Sequence, residues 1–235
     1  MLTKSILTPT IINAIQFSAK WHTGQVRKLS QTAYLIHPLH VAADAASFRL
    51  PEAVIAAAIL HDAVEDTDAT IDMVEREFGG DVAFYVTGLT KWWPDAATPA
   101  QEREYKQQYY AHIATNEQLI NLKLIDRMNN SADMRQNPPS SWSAKYYQKT
   151  IEEFGVLLAS PHANNGDVLE FFMAEVVRHW LHTKDAFPKV PHPSVLLSQS
   201  RFVVPEDVDD VDDNNPDMEW RTRVSDLIYH VEVRE

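Results

Sequence analysis

Four side chains that can bind metals or carry protons lie within six residues: His61, Asp62, Glu65 and Asp66. They follow an apolar run over residues 53–60, and residues 61–66 include no lysine or arginine. Residues three or four apart share one face of a helix, so the carboxylates would crowd together if the helix continues. Like charges so close to one another, and next to an apolar surface, are costly unless a cation or a proton neutralises them. The stretch therefore predicts a bound metal ion.

Two residues elsewhere in the chain extend this set. His37 precedes a proline, where a helix cap is its alternative role, and Asp126 shares a predicted helical face with Leu119 and Leu122. An unpaired carboxylate on an apolar face is costly, and Arg127 is a poor partner because adjacent helical residues point apart. The proposed metal ligands are His37, His61, Asp62 and Asp126.

Two imidazoles and two carboxylates suit Mn²⁺, Fe²⁺, Zn²⁺ or Mg²⁺, and ligand type alone does not choose among these ions. If such a site catalyses hydrolysis, the reaction needs a carboxylate that positions and deprotonates water, and an acid for the leaving oxygen. Glu65 and Asp66 are predicted to fill these two roles, which the sequence does not divide between them. A solvated acidic turn at the end of a helix is the alternative.

These residues belong to five sequence blocks that together resemble the HD-domain metallophosphohydrolases. More narrowly, the blocks resemble the hydrolase half of the RelA/SpoT enzymes and the stand-alone small alarmone hydrolases. They occur in the family's order and cover roughly residues 10 to 150. The blocks are His22-x-Gly24-Gln25-x-Arg27-Lys28, Tyr34-Leu35-Ile36-His37-Pro38-Leu39-x-Val41-Ala42, Ile59-Leu60-His61-Asp62-x-Val64-Glu65-Asp66-Thr67, Phe78-Gly79-x-x-Val82-Ala83 and Lys123-Leu124-Ile125-Asp126-Arg127-x-x-Asn130.

The resemblance favours Mn²⁺ as the metal and implies contacts with a nucleotide substrate. Arg27 would lie against the purine base, with Lys28 beside it, and Asn130 would contact the bound nucleotide. Tyr146 matches a family tyrosine near the ribose and 5′-phosphates, although a second tyrosine follows it and leaves the register open. A solvated basic pair and a polar residue that closes a helix are the ordinary alternatives for Arg27 and Asn130.

One departure from the family lies between the basic pair and the next block. The family usually has Gly and Pro there, whereas this chain has Leu29-Ser30-Gln31-Thr32-Ala33. The path of this loop, and with it the base preference, is therefore open.

The resemblance implies a metal-dependent hydrolase of (p)ppGpp, the guanosine 3′-diphosphate alarmones. Water would attack a phosphorus of the 3′-diphosphate and release pyrophosphate with GDP or GTP. The family's synthetase domain has no room in this sequence, so only hydrolysis is expected. One alternative is another substrate, such as an adenine alarmone, the 2′-phosphate of NADPH or a nucleoside monophosphate. The other is a regulatory or antitoxin-like protein that binds a nucleotide without turning it over.

Helical patterns place these residues in an all-α bundle of the HD-domain type. Helices are predicted to start at Thr8-Pro9, at His37-Pro38 with His37 as the cap, at Pro51 and at Thr70. The helix from Pro51 is expected to carry the His61-Asp62 doublet. Further helices are predicted over residues 81–90, 101–114, 116–134, 142–159 and 167–183.

The pattern changes after residue 184, so we expect a helical domain over residues 1–184 and a C-terminal extension over residues 185–235. Residues 194–204 and 227–233 partly alternate as strands do, and residues 206–219 are acidic. This extension could contain a β-hairpin, and we assign it no function.

Bulk composition narrows the class of protein further. The net charge of −12 argues against a general nucleic-acid-binding face, whereas a small nucleotide can still bind through a metal and local cations. The chain has no cysteine, no signal-peptide pattern and no apolar run long enough to cross a membrane. We expect a cytoplasmic protein without a membrane partner, and the sequence indicates no oligomeric state.

Overall fold

The structure is a computed structural model that describes residues 7–94 and 96–199, and within these ranges the chain is helical. The predicted all-α fold class is confirmed: an isolated bridge between Val26 and Ala33 is the nearest approach to β structure in the described part. No described helix is long and apolar enough to span a membrane. The helices are α1 (Pro9–Trp21), α2 (Ile36–Ser47), α3 (Glu52–Leu60), α4 (Ala63–Asp66), α5 (Ile71–Phe78), α6 (Gly80–Leu89), α7 (Pro99–Ile113), α8 (Glu117–Arg135), α9 (Ser141–Glu153), α10 (Gly155–Leu158), α11 (Gly166–Thr183) and α12 (Ser194–Gln199).

The fold divides into two compact units between Ile113 and Ala114. Helix α3 is the centre of the first unit, and α1, α2 and α6 pack against it. From Val54 onward all of its side chains are buried, and three consecutive alanines let the neighbouring helices approach closely. A helix that is apolar on every side is buried on every side, as here.

Helix α3 ends one residue before the His-Asp doublet, so the expectation that this helix carries the doublet is wrong. Pro51 is its N-cap and His61 its C-cap, and a separate short helix, α4, then carries Glu65 and Asp66. Asp62 joins the two helices with ψ −9°, which is far enough from a helical value to interrupt the first helix.

Two other helix starts show how well local patterns work in this unit. Thr70 caps α5 as predicted, since its hydroxyl accepts a hydrogen bond from the Met73 N–H. Helix α2, however, begins at Ile36 with Leu35 as its N-cap, so His37 lies in the first turn and is not the cap. Sequence patterns often miss helix ends by a residue or two.

Helix α8 is the central element of the second unit, where α9 and α11 pack against it. The Asn116 side chain caps α8 by accepting from two backbone N–H groups. The single helix predicted over residues 142–159 is instead interrupted at the fully buried Phe154, where α9 gives way to α10.

Residues 194–199 form helix α12, so the β structure predicted for this stretch is wrong there. Leu196 is fully buried in α12, which packs against α9 and α10. The remainder of that run, the acidic tract and residues 227–233 lie outside the described residues. The domain boundary after residue 184 stays a prediction.

Candidate metal centre and its surroundings

Three of the four predicted metal ligands meet in the first unit, where the start of α2 faces the end of α3. The His37 Nε2 and His61 Nε2 atoms lie 3.6 and 3.1 Å from the same Asp62 Oδ2 atom. The two imidazole rings are edge to face at a centroid distance of 5.3 Å, and one nitrogen of each lies within 4.8 Å of the other. Both histidines are buried.

The protonation pattern of His61 fits a cation at this point. Its Nδ1 atom lies 2.8 Å from the Ala58 carbonyl oxygen, which can only accept, so Nδ1 carries the proton. In the neutral ring, Nε2 is then an acceptor, and it lies 3.1 Å from the Asp62 carboxylate, which is also an acceptor. Two acceptors at this distance repel each other unless a cation or a proton lies between them. A histidine fixed through Nδ1 with Nε2 available is a common arrangement at metal sites.

Asp126, the fourth predicted ligand, lies in α8 of the second unit. Its carboxylate has two partners on its own helix that were not predicted from the sequence: Lys123 Nζ lies 3.2 Å from Oδ2, and Asn130 Nδ2 donates to Oδ1 at 2.6 Å. The next residue, Arg127, lies 3.8 Å from Glu153 Oε2. The role of Asp126 as a ligand stays a prediction.

The two predicted proton-transfer residues have different partners. Both Glu65 oxygens contact Lys91, one through the ammonium group and the other through the backbone N–H at 3.2 Å. Asp66 Oδ2 instead accepts from the Tyr34 hydroxyl at 3.0 Å, and its carbonyl oxygen accepts from Gln25 at 2.9 Å. Partial burial, followed by the Asp62 charge, raises the pKa of Asp66.

Tyr34 connects the ligand cluster to Asp66, a role that the sequence did not predict. Its hydroxyl lies 2.6 Å from Asp62 Oδ2, and its ring stacks on the buried His22 at a centroid distance of 4.8 Å. Burial, and then the neighbouring Asp62 and Asp66 charges, raise the pKa of Tyr34, so the hydroxyl keeps its proton and can donate it. Its place in the motif before His37 was the available signal, but a tyrosine alone predicts no chemistry.

The loop that departs from the family pattern closes on itself. Arg27 N–H donates to the Thr32 carbonyl at 2.8 Å, and Gln31 takes a left-handed conformation with φ 56°. The Gln31 amide group also donates to the Lys28 carbonyl at 2.9 Å. The turn holds the Arg27 guanidinium 5.8 Å from the centre of the Tyr34 ring, while Lys28 is exposed.

The second unit distinguishes the two adjacent tyrosines that left the register open. Tyr147 is buried, and its hydroxyl donates to the Pro191 carbonyl at 2.9 Å, so it is a core residue. Tyr146 is half-buried, with the Arg127 guanidinium 4.2 Å from its ring centre. Of the pair, Tyr146 is the more exposed. Its contact with a nucleotide stays a prediction.

Comparison with known proteins gives the same family. A family model described as an HD domain matches residues 14–159. The guanosine-3′,5′-bis(diphosphate) 3′-pyrophosphohydrolase MESH1 of Danio rerio is 36% identical over 150 residues, which cover 62% of this chain and 80% of that protein. A GTP pyrophosphokinase of Myxococcus xanthus is 35% identical over 152 residues, or 63% of this chain, but this chain spans only 20% of that longer protein.

A solved structure resembles the fold as well. It is described as a metazoan orthologue of SpoT that hydrolyses ppGpp and plays a role in starvation responses. The TM-score is 0.61 at 26% sequence identity, and the match covers 74% of this chain and 97% of the other.

Proposed function

Because the chain belongs to the HD-domain family, we propose that it is a metal-dependent phosphohydrolase that removes the 3′-diphosphate of guanosine alarmones. One observation carries this proposal: His37 and His61 converge on Asp62, with Glu65 and Asp66 one short helix away. The names of the relatives support the substrate, because the Danio rerio protein is a 3′-pyrophosphohydrolase of guanosine bis(diphosphate).

The metal would be held by His37, His61, Asp62 and Asp126, and Mn²⁺ is the ion that we propose. The family match spans residues 14–159 and so includes all four residues. When bound, a divalent cation acts as a Lewis acid on water and on phosphate oxygens.

The protein groups would move one proton for each bond broken. Glu65 and Asp66 take a proton from the attacking water and return one to the leaving 3′-oxygen of the ribose. The bond between that oxygen and phosphorus breaks, which yields pyrophosphate and GDP or GTP. A positioned carboxylate in such a role contributes roughly 10²- to 10⁴-fold to the rate.

The nucleotide would be bound by Arg27, Lys28, Asn130 and Tyr146. A guanidinium plane can stack on a purine base, and the Arg27 guanidinium lies 5.8 Å from the ring centre of Tyr34, whose hydroxyl contacts Asp62. Asn130 donates to the proposed ligand Asp126 and so lies next to the reacting phosphates in this scheme. The proposed substrate occurs inside cells, and we propose a cytoplasmic location on that ground.

Product analysis of the purified protein tests the function. The substrates are ppGpp, pppGpp, an adenine alarmone, NADPH and a nucleoside monophosphate, each with and without Mn²⁺. We expect GDP or GTP and pyrophosphate in equal amounts from the guanosine alarmones, and only with metal. Faster turnover of another nucleotide would change the substrate, and binding without turnover would indicate a regulatory protein.

A further inference from the structure

Lys91 holds both oxygens of the Glu65 carboxylate. Its ammonium group contacts Oε1 and its backbone N–H donates to Oε2 at 3.2 Å. Two contacts from one residue fix the rotation of a carboxylate as well as its position, which a single contact cannot do. The side chains are 49% and 24% exposed for Lys91 and Glu65, so the pair lies at the surface of the site.

The backbone on the N-terminal side of Lys91 is fixed independently of Glu65. The buried Tyr109 hydroxyl of α7 donates to the Leu89 carbonyl at 2.6 Å. Thr90 donates through both its N–H and its hydroxyl to the Val86 carbonyl, at 3.0 and 2.8 Å. The C-terminal end of α6, which directly precedes Lys91, is therefore held in place.

The backbone after Lys91 is anchored by aromatic packing on α7. The Trp93 ring stacks on Tyr105 at a centroid distance of 6.4 Å and meets Tyr109 edge to face at 5.6 Å. With both of its flanks held, Lys91 has a position that does not depend on the carboxylate it contacts. Glu65, by contrast, lies in a helix of only four residues.

We propose that Lys91 is a positioning residue that orients Glu65 for proton transfer. This inference rests on the function proposed above, in which Glu65 acts on the substrate or on water. An ion pair this exposed adds little to stability, because solvent screens it. The orientation of the Glu65 carboxylate can still affect the rate strongly, since a displacement of about 1 Å in an active site can lower the rate roughly 100-fold.

Replacement of the Lys91 side chain tests the proposal. We expect Lys91→Met to lower kcat for ppGpp by about 10- to 100-fold, with KM within about twofold of wild type. The loss is partial because the backbone N–H still holds one oxygen. Lys91→Arg, which keeps the charge, should recover most of the rate, and metal content should not change in either variant.

Lys106→Met is the matched control. Lys106 Nζ lies 2.8 Å from Glu102 Oε1 in α7, so this variant also removes a surface Lys–Glu pair in the same unit. We expect wild-type kcat from it, and thermal midpoints within about 3 °C of wild type for both methionine variants. An equal loss of rate in the control, or none in Lys91→Met, would overturn the proposal.

The double variant separates positioning from direct contact with substrate phosphate. In a Glu65→Gln background, Lys91→Met should lower kcat by less than about twofold, because residues that act as a unit are not additive. Calorimetric affinity for ppGpp in that background should also stay unchanged. A full additive loss, or an affinity about tenfold weaker, would make Lys91 a phosphate ligand and overturn its positioning role.

Wild-type turnover shows which proposal fails. If wild type hydrolyses ppGpp and Lys91→Met is equally fast, only the positioning role is wrong. If wild type turns over another nucleotide of the panel, the variants are compared on that substrate. If it turns over none, the proposed function fails, and the role of Lys91 fails with it.

Discussion

The Tyr34 hydroxyl is near two carboxylates but has one proton. It lies 2.6 Å from Asp62 Oδ2 and 3.0 Å from Asp66 Oδ2, so it donates to one of them at a time. The proposed ligand Asp62 and the proposed proton carrier Asp66 are thereby connected through a single side chain. A change in the charge of Asp62 therefore changes how strongly the Tyr34 hydroxyl hydrogen-bonds to Asp66.

We expect Tyr34→Phe to weaken metal affinity or lower activity by about 10-fold or more, because partners of metal ligands have effects of that size. The ring stays in place, so stacking on His22 is kept and the hydroxyl alone is tested. Metal titration together with kcat measures the effect. The control is Tyr85→Phe in α6, which removes a hydroxyl near Asp81 instead; equal losses in both variants would contradict the role of Tyr34.

Removal of one imidazole should empty the proposed metal centre without unfolding the chain. We expect His61→Ala to lose tightly bound metal and more than about 99% of activity, since no other group replaces Nε2. The matched control is His40→Ala, on the exposed side of α2. Metal analysis and helical circular dichroism measure the outcome, and full metal occupancy in His61→Ala would contradict this site.

The sequence predicted residue types at the site better than their partners. Repulsion among carboxylates predicted a cation near Asp62, and the convergence of His37 and His61 on it agrees with that. Partners were harder to predict because they depend on contacts far apart in sequence: Lys91 lies 26 residues from Glu65. Asp126 is the opposite case, since its partner Lys123 lies three positions earlier on the same helix, a spacing that can be read from the sequence.

Among the helices, a charged contact between Arg135 and Glu175 joins α8 to α11 in the second unit. Arg135 Nε and a terminal nitrogen each lie 2.7 Å from a different oxygen of Glu175. The Glu175 side chain is only 8% exposed, so it depends on this partner for the hydrogen bonds that water would otherwise provide.

We expect Arg135→Met to lower the free energy of unfolding by about 3 kcal/mol, because a buried carboxylate loses its paired guanidinium. Arg178→Met is the control: Arg178 lies 3.6 Å from the same carboxylate but is 54% exposed, so a loss below about 1 kcal/mol is expected. Urea unfolding of both variants gives the comparison. An equal decrease in the free energy of unfolding in both variants would contradict the argument that burial makes the Arg135–Glu175 contact the stronger one.

Helix existence was predictable here, whereas helix interruptions were not. The apolar pattern of residues 53–60 predicts α3 but continues through Ala63 and Val64, so nothing local marks the break. The break occurs at Asp62, which the Tyr34 hydroxyl contacts from 28 residues away. Likewise, residues 194–199 have a strand-like pattern, and burial of Leu196 against the α9 and α10 helices overrides it.

At the scale of the whole molecule, His179 should make stability depend on pH. This α11 residue is 1% exposed, and burial is the largest cause that lowers its pKa to about 4. The nearby positive groups of His182, Arg135 and Arg127 lower it further, while Ser143 opposes them. In the folded chain His179 is therefore neutral over most of the range in which an unfolded histidine gains a proton.

The sign of the effect follows from proton binding. Between pH 6.5 and about 4 the unfolded chain binds the proton that folded His179 does not, so stability falls as the pH falls. We expect His179 to lower the free energy of unfolding by roughly 3 kcal/mol across this pH range. Urea unfolding at several pH values should show a smaller loss in His179→Gln than in wild type. The exposed His40→Gln is the control, and an unchanged pH profile in His179→Gln would contradict this origin.

The aromatic packing after Lys91 also makes this part of the chain visible by fluorescence. Trp92 is 56% exposed, and its ring meets Trp93 and Tyr105 edge to face at centroid distances of 6.1 and 5.1 Å. Indole emission shifts to shorter wavelength when water is excluded from the ring. With Trp93 kept and the remaining tryptophans replaced by phenylalanine, fluorescence from the Trp92–Trp93 pair would report in real time whether the surroundings of these rings change as a nucleotide arrives.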